Sequence, residues 1–300
     1  MTGADSRATV RREVEVVASL DAPGFHRLFE ERDSPLVVRG GARALPAVGR
    51  WTLEYLTQKV GSVRVPHKLS ATNKHPDFDQ PSLASAFARG ESTLDELFRA
   101  VTTGPEAERA KRLFTGEEKF LLRRRDGVTT LDSDLAPLWD DVGRPSLVPE
   151  ERLYSVWSWF SGRGVRTWLH YDNNGCHNLN AQITGEKDCL LFEPNAIEGL
   201  YFFDPDGPNP AHNCSAVDVD APDALRFPAF AHVPAWRASL EAGDLLFIPA
   251  WWPHAFLHRG GFNANVNFWW KPEVMLDNAI ARRQAALDAA TASSASYQVA

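Results

Sequence analysis

After Pro149 the chain divides into short segments rich in β-branched and aromatic residues: Leu153–Phe160, Val165–Tyr171, Asn178–Ile183, Asp188–Phe192, Leu245–Pro249 and Asn263–Trp269. Turns containing glycine separate the first four, and a Pro- and Asp-rich insertion, Asp204–Ala224, interrupts the series. Several short strands at close spacing predict a sandwich or barrel. Within this half, His170 and Asp172 stand two residues apart. On a strand, residues i and i+2 point to one face, so this spacing can aim an imidazole and a carboxylate into one cavity. Asn178, Gln182 and Lys187 follow, polar residues in a stretch that otherwise reads as sheet.

The first half reads as a mixture of helix and strand. Residues 1–15 carry no folding pattern and are expected to form a flexible arm. A short helix is expected over Gly24–Glu31, with Phe25, Leu28 and Phe29 on one side, then a strand over Pro35–Arg39 stopped by Gly40-Gly41. Trp51–Val60 presents Leu53, Leu56 and Val60 on one helical face, and Gly61 takes the position of a C-cap glycine. Arg64–Lys68 reads as a strand, and Ser70–Gly90, polar and broken by Pro76 and Pro81, as a long loop or an excursion around the domain, a kind of segment that often carries function. Thr93 and Glu96 form a capping-box pattern ahead of Leu94, Leu97, Phe98 and Val101. Glu118–Arg123 reads as a strand and Leu131–Trp139 as a helical turn or two. From Pro272 the tail is expected to be helical, with Leu276, Ile280 and Leu287 in a stripe that either packs on the barrel or makes a homodimer, and its last ten residues frayed.

Length, at 300 residues, allows one large domain with a full core. The division expected is a 1–15 arm, one domain over 16–271 (mixed to about 150, β-helix core 151–271), and a 272–300 tail. No apolar run reaches the roughly 20 residues that cross a bilayer, and the N-terminus lacks a signal-peptide core. Three cysteines without a CxxC spacing argue against a disulfide framework, so a reducing cytoplasm is the expected location. A net charge of −7 argues against a nucleic-acid partner, since Arg123-Arg124-Arg125 is the clearest basic run.

A third metal ligand is offered by His254, which follows an apolar strand in GDLLFIPAWWPH. Antiparallel strands in a barrel can bring it beside His170 and Asp172. Two histidines and one carboxylate then hold one face of a metal and leave positions open, as non-haem Fe(II) oxygenases require. The ordered set PLVVRGG, WTLEYLTQKVG, TWLHYD, NLNAQITGEKDCLLFEP, GDLLFIPAWWPH and NVNFWWK, from about Val16 to Lys271, resembles the Jumonji-C/cupin-like Fe(II)- and 2-oxoglutarate-dependent oxygenases. Within them it is most similar to the asparaginyl-hydroxylase-like branch.

The resemblance implies a mainly β fold with flanking helices around a double-stranded β-helix (jelly-roll) core. It implies His170, Asp172 and His254 as iron ligands, Lys187 and Thr167 at the distal carboxylate of 2-oxoglutarate, and Asn178 and Asn267 near its metal-bound end. The resemblance does not place the tyrosine some relatives have beside the lysine, and Tyr154 stands as a guess for it. The stretch between Asp172 and Asn178 is two residues longer than in that branch. The implied activity uses O₂ to hydroxylate an unactivated C–H bond, with release of succinate and CO₂. Its expected substrate is an amino-acid side chain in a protein, a peptide or a free amino acid. The alternatives are a natural-product hydroxylase of the same mechanism, a metal-binding cupin without oxygenase activity, and a Zn(II) or Mn(II) enzyme on the same ligands.

Overall fold

The computed structural model describes residues 11–103, 121–125 and 127–297. Its centre is a pair of sheets. One runs in the order Arg11–Glu13, Ala235–Leu240, Lys187–Phe192, His254–His258, Arg166–His170, Lys74–His75. The other runs Glu15–Val17, Leu36–Val38, Leu245–Ile248, His177–Thr184, Phe262–Trp270, Leu153–Gly162, Leu122–Arg125, Val128–Leu131. Four antiparallel strands at the middle of the first sheet oppose four at the middle of the second, with Cys189, Leu191 and Leu240 meeting Leu246 and Ile248 between them. This is the expected double-stranded β-helix, a jelly roll with flanking helices.

Side-chain alternation explains how the roll can be buried on both faces and still hold a polar interior. In Phe262–Trp270, the residues Ala264, Val266, Phe268 and Trp270 point outward, while Asn263, Asn265, Asn267 and Trp269 point between the sheets. His177–Thr184 repeats the pattern, with Leu179, Ala181 and Ile183 outward and Asn178, Asn180 and Gln182 inward. The outward apolar face is covered by the N-terminal helices, through Phe25, Trp51, Leu56, Leu94, Phe98 and Leu138. Each such side chain, fully buried, contributes about 1.5–3 kcal/mol. The helices therefore seal one side of the roll and leave its interior to chemistry.

The helix Leu53–Val60 is capped by Thr52, and Leu94–Thr102 carries the full capping box of Thr93 and Glu96. Gly61 occupies the C-cap, but with a right-handed φ of −59°, so no left-handed turn calls for it.

Several expectations are corrected. Residues 11–15 are not part of a free arm: Arg11–Glu13 lies parallel to Ala235–Arg237, Glu15–Val17 lies parallel to Leu36–Val38, and Val14 between them is buried. Edge strands of three residues are set by long-range pairing, which leaves no local pattern to read. Ser70–Gly90 is not a plain loop. Its Lys74–His75 extends the smaller sheet, and Asp77 organises the turn by accepting from Ser70, Ala71, Thr72 and Gln80. Arg89–Thr93, unread in the sequence, pairs with Arg64–Lys68. Of the strand expected over Glu118–Arg123, residues 118–120 lie outside the described residues, and the strand observed is Leu122–Arg125. The tail helix runs Ala279–Tyr297, so fraying does not begin at residue 291. Its Ile280 is buried against Tyr171, Ala250 and Trp251, which answers the choice between packing and a homodimer in favour of packing for that residue. Among the described residues no helix is long and apolar enough to cross a membrane.

Candidate active site

His170 ends the strand Arg166–His170 and His254 begins the strand His254–His258; the two are direct cross-strand partners, with ring centroids 4.5 Å apart. Each ring is held in the same way. His170 Nδ1 lies 2.8 Å from the Trp168 carbonyl, and His254 Nδ1 lies 2.9 Å from the Trp252 carbonyl. A carbonyl can only accept, so both Nδ1 atoms carry the hydrogen and both Nε2 atoms present a lone pair. Burial and the neighbouring His170 lower the pKa of His254, which keeps it in the neutral, ligating form.

Asp172 lies beyond the end of its strand, so the alternation expected from the His-x-Asp spacing does not orient it. Hydrogen bonds do. Its Oδ2 accepts from Trp269 Nε1 at 3.0 Å and from Asn178 Nδ2 at 3.1 Å, and its Oδ1 stands 3.8 Å from His170 Nε2. Burial pushes this carboxyl up, but His254, His170, Trp269 and Asn178 outweigh burial and hold it below the usual carboxylate range. One ligand atom from each of His170, Asp172 and His254 lies within 4.8 Å of the others. Three donors about 2.1 Å from a common ion stand about 3 Å apart, so small rotations close the set on a metal. A divalent transition metal therefore fits: two oriented imidazole nitrogens, one ionised oxygen, and outer hydrogen bonds that fix each.

The amides continue inward. Asn267 Nδ2 donates to Asn178 Oδ1 at 2.8 Å, and Asn267 Oδ1 accepts from Asn265 at 2.6 Å and Asn180 at 3.2 Å. The chain Asn265–Asn267–Asn178–Asp172 thus points every donor toward the carboxylate. Asn180 and Asn265 were missed in the sequence reading, although the period-two Asn-x-Asn-x-Asn of Asn263–Asn267 was there to be seen.

Lys187 opens the strand Lys187–Phe192, and it is 1% exposed. Gly185, with φ +81°, makes the preceding turn; a Cβ there would come 2.4 Å from the Phe262 carbonyl oxygen, so glycine alone allows this approach. The Lys187 ammonium sits 4.7 Å from the centre of the Phe256 ring, and no carboxylate pairs with it among the described residues. Burial lowers its pKa from 10.5 to about 7. His258 lies directly across the strand pair from Lys187 and shares a hydrogen bond with Ser161.

One cavity of about 660 Å³ joins these groups: His170, Asp172, His254, Lys187, Thr167, Asn178 and Asn267 all line it. Every residue nominated from the sequence is therefore in one place. Tyr154 lines the same cavity but is seven residues along its strand from Ser161, the partner of His258 beside Lys187. That is roughly 23 Å of strand, too far for a tyrosine beside this lysine. The longer stretch after Asp172 is accommodated by a turn at Gly175, with Asn173 and Asn174 on the cavity wall, and it still delivers Asn178 to Asp172.

A cupin-like domain model matches residues 22–275. The chain is 29% identical over 263 residues to a tRNA wybutosine-synthesizing protein 5 from Gallus gallus, covering 85% of this chain and 77% of that one. The Homo sapiens protein of the same name is 30% identical over 253 residues, covering 82% and 74%. Lysine-specific demethylase 8 of Xenopus tropicalis is 27% identical over 248 residues, covering 79% of this chain but only 48% of that one. The first two names carry a tRNA, so the net-charge reading against a nucleic-acid partner has no support from these relatives.

Proposed function

This chain belongs to the cupin-like, Jumonji-C-type oxygenase family, and on that footing we propose that it is an Fe(II)- and 2-oxoglutarate-dependent hydroxylase. The observation that carries the reading is the pairing, in one cavity, of an oriented His/Asp/His cluster with a buried ammonium that has no carboxylate of its own among the described residues. In this reading His170, Asp172 and His254 hold the metal. Lys187 and Thr167 receive the distal carboxylate of 2-oxoglutarate through a charge-assisted contact, and Asn178 and Asn267 orient its other end. Bound iron with 2-oxoglutarate and O₂ supplies the oxidising power that turns a C–H bond into C–OH, with succinate and CO₂ as co-products. The chain's own contribution is to bind, orient and exclude water. The carbonyls of Trp168 and Trp252 fix the imidazoles, Trp269 and Asn178 fix the carboxylate, and the helices behind the larger sheet keep its outer face dry.

The substrate class favoured by the resemblance is an amino-acid side chain, with tRNA and a natural product as rivals. A cupin without oxygenase activity, or a Zn(II) or Mn(II) enzyme, gives Lys187 no task. Succinate release from Fe(II)-loaded protein tests the proposal, together with metal and 2-oxoglutarate binding by Asp172→Ala and Lys187→Ala. The expected result is that the first loses metal and the second loses chiefly 2-oxoglutarate. Wild-type 2-oxoglutarate affinity in both variants would place the site elsewhere.

A further inference from the structure

We propose that the C-terminal helix Ala279–Tyr297 is a working part of the metal centre, with Gln284 and Arg283 as positioning residues for the turn that carries His170 and Asp172. This rests on the reading above that those two residues hold a metal. The ligands are separated by one residue, Tyr171, and only His170 lies in the strand. Trp269 and Asn178 fix the Asp172 carboxylate, but the backbone that delivers it has left the sheet and must be held another way.

Tyr171 is the point of attachment. It is fully buried, outside the cavity that its two neighbours line. Its N–H donates to the Asn213 carbonyl at 3.0 Å and its carbonyl accepts from Asn213 Nδ2 at 2.9 Å, while Cys214 bridges to His170. Its ring meets Phe202 edge to face with centroids 5.1 Å apart, and packs with Trp251 and Ile280. Its hydroxyl lies 2.9 Å from Gln284 Oε1, 113 residues along the chain. The direction of that bond is fixed. Gln284 Nε2 donates to the Asp288 carboxylate, which accepts, so Oε1 faces the tyrosine and the tyrosine donates.

Arg283 holds the other side. It donates to the Phe203 carbonyl at 2.5 Å and to the His212 carbonyl at 3.0 Å, closing the loop 203–212, whose next residue is Asn213. Ile280, Arg283 and Gln284 stand at i, i+3 and i+4, on one face of the helix. That face grips the ligand turn twice, through the tyrosine side chain and through the loop that clamps the tyrosine backbone. A core that needed only burial would be served by phenylalanine at 171. A directed hydroxyl bond also fixes the ring along its long axis, and with it the Cα between the two ligands. The helix lies beyond residue 275, where the cupin-like match ends, so this grip is an addition to the matched domain.

The test is binding of Mn(II) to the full chain by calorimetry, with Co(II) absorption as the report on ligand geometry. Tyr171→Phe and Gln284→Met each remove one end of the hydroxyl bond at nearly constant volume. Each is expected to weaken Mn(II) about three- to tenfold, and the double variant no more than either alone, because both act through one bond. Arg283→Met should weaken it by a similar factor, and the Co(II) bands of all four variants should shift. Arg282→Ala, at an exposed position of the same helix, should bind Mn(II) as wild type does. Coupling is reciprocal, so Mn(II) should slow amide hydrogen exchange in residues 280–288 of wild type, and do so less in Tyr171→Phe. Wild-type Mn(II) affinity in the variants, single effects that multiply in the double variant, an equal loss in Arg282→Ala, or helix exchange untouched by metal overturns the inference. Wild-type protein that binds no Mn(II) sinks the metal reading itself. Wild-type protein that binds Mn(II) but not 2-oxoglutarate sinks the oxygenase reading and leaves the grip standing.

Discussion

Lys187→Met should make the metal-free protein more stable while removing its hold on 2-oxoglutarate. The ammonium is 1% exposed, and burial lowers its pKa from 10.5 to about 7. The sign follows from proton uptake. Between those two values the unfolded chain binds a proton that the folded chain refuses, so Lys187 lowers stability as pH falls from 10.5 to about 7, with no further loss below. A shift of that size corresponds to about 5 kcal/mol at acid pH and about 4 kcal/mol near pH 7. The contact with the Phe256 ring returns about 1–2 kcal/mol when the group is charged. Methionine keeps the unbranched stem and removes the charge, so the net gain is about 3 kcal/mol near pH 7, falling to about 2 kcal/mol at pH 9, where the folded lysine is already neutral. Urea denaturation of wild type and variant at both pH values, without metal or 2-oxoglutarate, measures this directly. A parallel titration should show 2-oxoglutarate affinity reduced about 10–100-fold, the worth of one charge-assisted contact. A variant less stable than wild type, or a gain that does not shrink at the higher pH, would refute the assignment of Lys187 as a buried charge waiting for its partner.

Three further outcomes follow from the same geometry. Trp269→Phe removes one of the two hydrogen bonds on Asp172 Oδ2 and should weaken Mn(II) or Fe(II) binding by about tenfold; unchanged metal affinity would mean Asn178 alone orients the carboxylate. Binding of 2-oxoglutarate should raise the pKa of Lys187, so above about pH 7 it takes up a proton and loses affinity as pH rises. Calorimetry in two buffers of different ionisation enthalpy detects the proton, and identical heats would count against it. Cys176, Cys189 and Cys214 are all buried, and burial raises their thiols, Cys176 and Cys214 to about 12. A thiol reagent should therefore label the native protein slowly and all three cysteines once it is unfolded, and rapid native labelling would show that the fold opens there.

What could be read from residues alone divides along a physical line. Asn178 and Asn267 belong to long antiparallel strands of the larger sheet, whose alternation sets one face on the helices and the other on the cavity, while His170, His254 and Lys187 stand at the ends of short strands of the smaller sheet. Their side-chain direction is a local property, so the spacing of polar residues within apolar segments exposes them. Asp172 was found for a partly mistaken reason: it sits past the strand end and is aimed by Trp269, 97 residues away. The outer cavity is the opposite case. Arg89–Thr93 is Arg-Gly-Glu-Ser-Thr, of mixed burial and with little intrinsic strand preference, and only pairing with Arg64–Lys68 makes it a strand. Lys68, Arg89 and Arg123 reach the cavity through non-local pairings of that kind, and the three-residue edge strands at Arg11–Val17 are likewise set by non-local pairing. The residues of the centre are thus written in local periodicity and the outer lining of the cavity in long-range register. A substitution on the exposed side of the Arg64–Lys68/Arg89–Thr93 pair should therefore leave metal binding at wild-type strength, and a loss of metal affinity by titration would show that this pair also supports the centre.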